Sequence, residues 1–201
     1  MNGSGDPVQW RFGPVQVQRL PHRHGLRGEP QVRGLLGRWL AVEDAALPLV
    51  RDAHGRPRLQ APFADRDASW SHSGELLLLA CGRDVRLGVD LERLRSRPRS
   101  LELARRFFDP QEADRLDALD PSLQGEAFVR LWCAKEAVLK AHGRGIAFGL
   151  ERLRFVPEHA GADAPLRLET CDPALGRPGD WQLHEWSPDA GYRAALAWHP
   201  L

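Results

Sequence analysis

The sequence predicts an α+β protein of two similar halves, with a helical segment followed by antiparallel strands occurring twice. Three observations carry this. Apolar residues recur three and four apart, the spacing of one helix face, over Val32–Val42 and again between residues 100 and 142. Apolar and polar residues alternate around 15–17, 87–92, 181–186 and 192–198, the period of a strand with two unlike faces. The 19 glycines and 16 prolines cut the chain into many short elements, with no low-complexity block or flexible linker.

In chain order, Val15 and Val17 with polar residues between them predict a strand. Leu35, Leu36, Trp39 and Leu40 then predict a helix over Val32–Val42. His54-Gly55-Arg56-Pro57 reads as a turn. Leu76–Cys81 has the length and bulk of a buried strand. Arg83-Asp84 separates it from Val85–Glu92, so the two are expected to pair as an antiparallel hairpin. Ser100–Phe108, Pro110–Leu119 and Glu126–His142 carry helical spacing; Pro110 suits a first turn and Gly143 a C-terminal stop. Trp181–Trp186 and Tyr192–Trp198 alternate like a terminal hairpin around Pro188-Asp189-Ala190-Gly191. The break between halves falls near residues 93–100, and no repeat is visible at the level of residue identity.

With 201 residues, 42% hydrophobic and 27% charged, the chain can bury a sizeable core. Its formal charge of +1 gives no general pull toward nucleic acid or a membrane surface. Cys81, Cys133 and Cys171 are odd in number and widely spaced, which fits neither a disulfide framework nor a CxxC metal site and points to a reducing compartment, the cytoplasm. Residues 1–6 lack a charged region followed by an apolar run, so neither export nor membrane insertion is expected.

Among 28 basic residues only Lys135 and Lys140 are lysines, which leaves 26 arginines. A position that stays lysine in so arginine-rich a chain calls for a compact, flexible ammonium. Glu136 and Lys140 lie four apart on one helix face. Taken alone they fit an ordinary stabilising pair better than a site, although Glu136 could serve as an oxygen ligand or general base and Lys140 could neutralise a phosphate oxygen. In Leu87-Gly88-Val89-Asp90-Leu91-Glu92 the two carboxylates share a strand face with Gly88. Side by side they repel unless a hard cation such as Mg²⁺ lies between them, and Gly88 would leave room for a bulky ligand. On spacing alone a strand end reaching solvent explains them at least as well.

Ser69, Ser71 and Ser73 face alike if 69–73 is extended, with Trp70 and His72 opposite. No GxSxG elbow is present and neighbouring Ser and His on a strand diverge, so a hydrolase triad is rejected; without other evidence His72 reads as a hydrogen-bonded structural histidine. Arg93, Arg95, Arg97 and Arg99, with Arg105 and Arg106, form the densest positive region. They suit either an acidic partner or a solvated face, and aromatic residues are too sparse there for a single-strand nucleic-acid surface.

Taken in order, Gly55-Arg56-Pro57, Ser69–Ser73, Gly88-Val89-Asp90-Leu91-Glu92, Ser100–Phe108 and Trp132–Lys140 resemble the motifs of the 4′-phosphopantetheinyl transferase superfamily, specifically its larger pseudo-dimeric type. The resemblance spans about residues 33–150. It departs from the family pattern at Ser69, where asparagine is usual, and at Trp70, where an aliphatic residue is usual. It implies two halves, 1–95 and 96–201, packed as a pseudo-dimer with the active site at their interface. It also implies transfer of the phosphopantetheine arm of CoA to a serine of an apo acyl- or peptidyl-carrier protein, leaving adenosine 3′,5′-bisphosphate. By that resemblance Asp90, Glu92 and Glu136 hold Mg²⁺, or Mn²⁺ in its place, and Glu136 or a water on the metal takes the serine proton. Lys140 and His72 contact phosphate oxygens, Arg33, Arg51 and Arg56 grip the nucleotide, and Ser71 and Lys135 complete the cofactor site. The arginine run is expected to dock the carrier, with no nucleic acid or membrane partner and a monomeric chain. Two other readings stay open: a different metal-dependent phosphotransferase or phosphohydrolase, and an arginine-rich binding module without catalysis.

Overall fold

The computed structural model describes residues 8–23, 25–161 and 163–201; the N-terminal stretch 1–6 read above lies outside them. Four strands, β1 (Gln9–Phe12), β2 (Val15–Pro21), β5 (Arg66–Ser73) and β6 (Leu76–Arg83), form one antiparallel sheet in the order β1-β2-β6-β5. The short pair β3 (Leu49–Arg51) and β4 (Pro57–Leu59) closes the turn around Gly55. A second antiparallel sheet has the order β10-β11-β7, from β7 (Val85–Arg93), β10 (Gln182–Trp186) and β11 (Tyr192–Pro200), and β8 (Leu153–Pro157) pairs with β9 (Leu166–Cys171). This is the mixed helix and antiparallel-sheet class that the sequence predicts.

Helix α1 (Glu29–Leu40) buries Val32, Leu35 and Leu36 and ends at Ala41, in the left-handed region. Helices α2 (Ser100–Phe107) and α3 (Pro110–Asp117) follow β7; Asp109 and Glu112 close a reciprocal capping box at the start of α3. Helix α4 (Pro121–His142) begins five residues before the apolar spacing suggested. Asp120 caps Ser122 N–H, and Pro121 fits a first turn where no amide is needed. It ends at Gly143 with φ 101°, as expected of a left-handed stop. Among the described residues no helix is long and apolar enough to cross a membrane.

The expected hairpin between β6 and β7 does not form. Both edges of β6 are already paired, with β2 and β5, so no ladder remains for β7. The chain turns instead at Asp84, in the left-handed region, and β7 pairs along its length with β11. One apolar layer lies between the two larger sheets, joining Val15, Val17, Leu78 and Ala80 to Leu87, Val89, Leu91 and Leu196. A second core packs α1 on the outer face of the first sheet, and a third packs α2, α3 and β8 around α4.

One edge of β7 pairs with β11, and the other is met by side chains rather than by a backbone ladder. Asp67, Ser69 and Ser73 of β5 accept hydrogen bonds from the amides of Leu87, Val89 and Arg93 at 2.9, 3.2 and 3.0 Å. Alternation along β5 puts these residues and Ser71 on one face, so the serine-rich stretch satisfies amides that burial would otherwise leave unpaired.

Candidate active site

The site lies where β5, β7 and α4 meet. Period-two alternation turns Leu87, Val89 and Leu91 into the inter-sheet core and Asp90 and Glu92 toward α4. Gly88 makes this approach possible: a Cβ there would lie 2.1 Å from Ala137 O and 2.6 Å from Ala141 N. The room expected there for a ligand is taken by the helix backbone, which brings Glu136 and Lys140 over the carboxylates.

Asp90 is 5% exposed. Its Oδ1 accepts from Lys140 Nζ at 2.7 Å and from Ser71 Oγ at 2.9 Å, while its buried Oδ2 has no partner among the described residues. Lys140 Nζ also donates to Ser71 Oγ at 2.9 Å and to Val89 O at 3.1 Å. Glu92 accepts from Arg97 Nη2 at 2.6 Å, and Ser73 Oγ lies 3.5 Å from the same oxygen. Glu136 is buried. Desolvation and the negative charges of Asp90 and Glu92 push its carboxyl up to about 7, against the pull of Lys140. Burial and Asp90 likewise raise Glu92, with Arg97 opposing.

Among the described residues no three His, Cys, Asp or Glu side chains already stand as a metal shell. The chemistry of the set nevertheless fits a hard cation. The charges of Asp90 and Glu92 raise the proton affinity of Glu136, and among the described residues a buried carboxylate oxygen of Asp90 is left without a donor.

Beside this cluster opens a cavity of about 220 Å³ lined by Arg51, Arg56, Ser69, Trp70, Lys140 and Gly143. The Arg51 guanidinium lies 5.7 Å from the Trp70 ring centroid and donates to Gly55 O at 2.6 Å and Glu29 at 2.5 Å. Trp70, a departure from the family pattern to which the sequence assigned no role, is thus a wall of the cavity. Its position beside two of the predicted residues was the available signal.

The structure therefore gathers Ser71, Asp90, Glu92, Glu136 and Lys140, with Arg51 and Arg56 along the adjoining cavity. Four other predicted residues are placed differently from that cluster. Lys135 is 0% exposed and faces away from the cluster; its ammonium donates to Glu112, Leu150 O and Leu153 O and sits 5.0 Å from the Phe108 ring. It is enclosed by α3, α4 and the segment that leads into β8. Arg56 is buried, bonded to Asp67 and to Leu87 O, and walls the cavity as a fixed charge rather than a free grip. Arg33 donates to Leu47 O and Leu49 O and does not line the cavity. His72 is exposed on the face of β5 opposite Ser71, stacked on His22 at 4.3 Å, and so is not brought to Glu136. Partial burial, His22 and the charge of Lys140 hold its imidazole below the ordinary value.

Comparison with known proteins agrees with this geometry. Relatives include the 4′-phosphopantetheinyl transferase HetI of Nostoc sp., 34% identical over 180 residues, covering 86% of this chain and 71% of the relative. The 4′-phosphopantetheinyl transferase Sfp of Bacillus subtilis is 31% identical over 177 residues, covering 87% and 74%. The L-aminoadipate-semialdehyde dehydrogenase-phosphopantetheinyl transferase of Mus musculus is 27% identical over 184 residues, covering 86% and 60%. A family model described as the 4′-phosphopantetheinyl transferase superfamily matches residues 86–197. That match takes in β7, α4 and β11, the elements that bring Asp90, Glu92, Glu136 and Lys140 together, and with it this chain belongs to the 4′-phosphopantetheinyl transferase superfamily.

Proposed function

We propose that this transferase moves the phosphopantetheine arm of CoA onto a serine hydroxyl of an apo acyl- or peptidyl-carrier protein. The observation that supports it most is the meeting of Asp90, Glu136 and Lys140 at the seam of β7 and α4, beside a cavity walled by Arg51 and Arg56. In this reading the halves are 1–95 and 96–201, and β7 of the first joins them by pairing with β11 of the second.

Asp90, Glu92 and Glu136 would hold Mg²⁺, or Mn²⁺ in its place, which when bound supplies neutralising charge to a diphosphate. The remaining work falls to the chain's own residues. Arg51 and Arg56 give the cavity a positive wall for the nucleotide, and Lys140 stands between that cavity and Asp90, where a phosphate oxygen can take the place of one of its three acceptors. Glu136, a buried carboxylate at the seam of β7 and α4, or a water beside it, would accept the proton of the attacking serine. The serine oxygen bonds to the phosphorus on the pantetheine side, the bond from that phosphorus to the bridging oxygen breaks, and adenosine 3′,5′-bisphosphate leaves with the bridging oxygen. Positioning and charge neutralisation account for most of the rate in such a transfer.

The exposed Arg93 and Arg95, just past Glu92, provide a positive approach for an acidic carrier. The test is chromatographic: adenosine 3′,5′-bisphosphate should appear from CoA only when Mg²⁺ and an apo carrier are both present. Preferential turnover of ATP or a nucleoside diphosphate without carrier would favour the phosphohydrolase reading instead.

A further inference from the structure

The arginines from 93 to 99 do not act as one patch. Arg93, Arg95 and Arg99 are exposed, and Arg99 is taken up by Glu102 through two bonds of 2.8 Å. Arg97 alone turns inward. Its side chain is 18% exposed, its Nη2 lies 2.6 Å from Glu92 Oε2, and its Nε is buried without a partner among the described residues. Pro98 follows it and restricts the Arg97 backbone to extended conformations, which narrows the directions its side chain can take.

The carboxylate site thus carries internal cations of its own, Lys140 on Asp90 and Arg97 on Glu92. They are not equivalent. Lys140 is fixed by three oxygens on three residues, whereas Arg97 sits in the connection between β7 and α2 and bonds Glu92 alone. Of the two, Arg97 is the one a stronger cation can displace.

We propose that Arg97 is the resident counter-ion of Glu92 and competes with a divalent cation for that carboxylate, so that the free enzyme holds the cation weakly and loads it together with its anionic co-substrate. This rests on the reading of Asp90, Glu92 and Glu136 as metal ligands. A diphosphate entering the cavity adds negative charge and offers the released guanidinium a new partner, which tips the exchange toward the metal. Arg97 is then a positioning residue for metal loading, distinct from the exposed arginines suited to carrier docking.

The test is calorimetric titration of MnCl₂ into the full chain, with and without CoA, for the wild type, Arg97→Gln, Arg97→Lys and Arg95→Gln. Without CoA, Arg97→Gln is expected to bind Mn²⁺ about fivefold more tightly than the wild type, the size of a part-exposed ion pair. Arg97→Lys and Arg95→Gln should stay within about twofold of the wild type, and CoA should tighten Mn²⁺ binding less in Arg97→Gln than in the wild type. Equal Mn²⁺ affinity for the wild type and Arg97→Gln would overturn the proposal, as would an equal gain from Arg95→Gln, which would mark a general charge effect. Absence of Mn²⁺ binding in every variant would overturn it by removing the metal site. Carrier labelling by the same samples reports separately on the functional reading.

Discussion

Lys135 and Lys140 stand five residues apart on α4 and face different sides of it, yet each ammonium is held by three oxygen acceptors. For Lys135 these are Glu112, Leu150 O and Leu153 O; for Lys140 they are Asp90, Ser71 Oγ and Val89 O. At 3.6 residues per turn the two side chains diverge by about 140°. An ammonium has three donors arranged as a tripod, which a planar guanidinium cannot reproduce. In a chain where every other basic residue is arginine, the two lysines occupy the two places where that tripod is fully used.

Lys135 is a test of the core rather than of catalysis. Burial lowers its ammonium and raises the Glu112 carboxyl from their ordinary values, each opposed by the other's charge. Lys135→Met leaves Glu112 buried without its cation and is expected to cost about 3 to 5 kcal/mol in urea unfolding. Glu112→Gln added to Lys135→Met should recover most of that loss, because the amide needs no counter-charge while its oxygen can still accept from an amide such as Phe155 N.

Glu136 sets a pH dependence of stability in metal-free protein. Its carboxyl is raised from 4.5 to about 7. Below the lower value it is protonated in folded and unfolded chains alike. Between the two, the unfolded chain releases the proton and the folded one keeps it, so stability falls as pH rises through this window. With EDTA present, Glu136→Gln should therefore stabilise the fold at pH 8 by roughly 2 to 3 kcal/mol, a gain that disappears below about pH 4.5, as followed by chemical denaturation.

Gly88 is fixed by the helix that covers it. Gly88→Ala would set a methyl group against the backbone at Ala137 and Ala141, and neither can yield without moving α4 off β7. The expected cost is about 3 kcal/mol or more, read from thermal unfolding. Loss of activity should exceed the loss of stability, because Glu136 and Lys140 move with the helix.

Lys140→Arg tests the need for an ammonium directly. The guanidinium cannot donate to Asp90, Ser71 and Val89 O from one point, so turnover should fall about 10²-fold or more while the protein stays folded by circular dichroism. Near-normal turnover would show that charge alone is required.

Most of the site was legible in the sequence, because its parts are short-range. Alternation fixed which side of β7 carries Asp90 and Glu92, and which side of β5 carries the three serines; four-residue spacing put Glu136 with Lys140. What failed was what depends on distant partners. Residues 133–139 of α4 are buried throughout, since the helix lies between the β7–β11 sheet on one side and α2, α3 and β8 on the other. No polar face was left to reveal that Lys135 points inward. The β6–β7 hairpin failed for the same reason: adjacency in sequence could not reveal that β2 and β5 already fill both edges of β6. Gly88 read as space for a ligand because nothing local announces that the backbone of α4 fills the place a Cβ would take.

If the Asp90, Glu136 and Lys140 cluster transfers phosphopantetheine to a carrier serine, removing one of its charges must slow the labelling of that serine. Intact-mass spectrometry of an apo carrier panel with CoA and Mg²⁺ tests it most directly, run with the wild type and with Asp90→Asn. One phosphopantetheine is expected on a single serine with the wild type, and a rate lower by about 10²-fold or more with Asp90→Asn. No adduct on any competent carrier from folded wild-type protein, or an undiminished rate from Asp90→Asn, would contradict it.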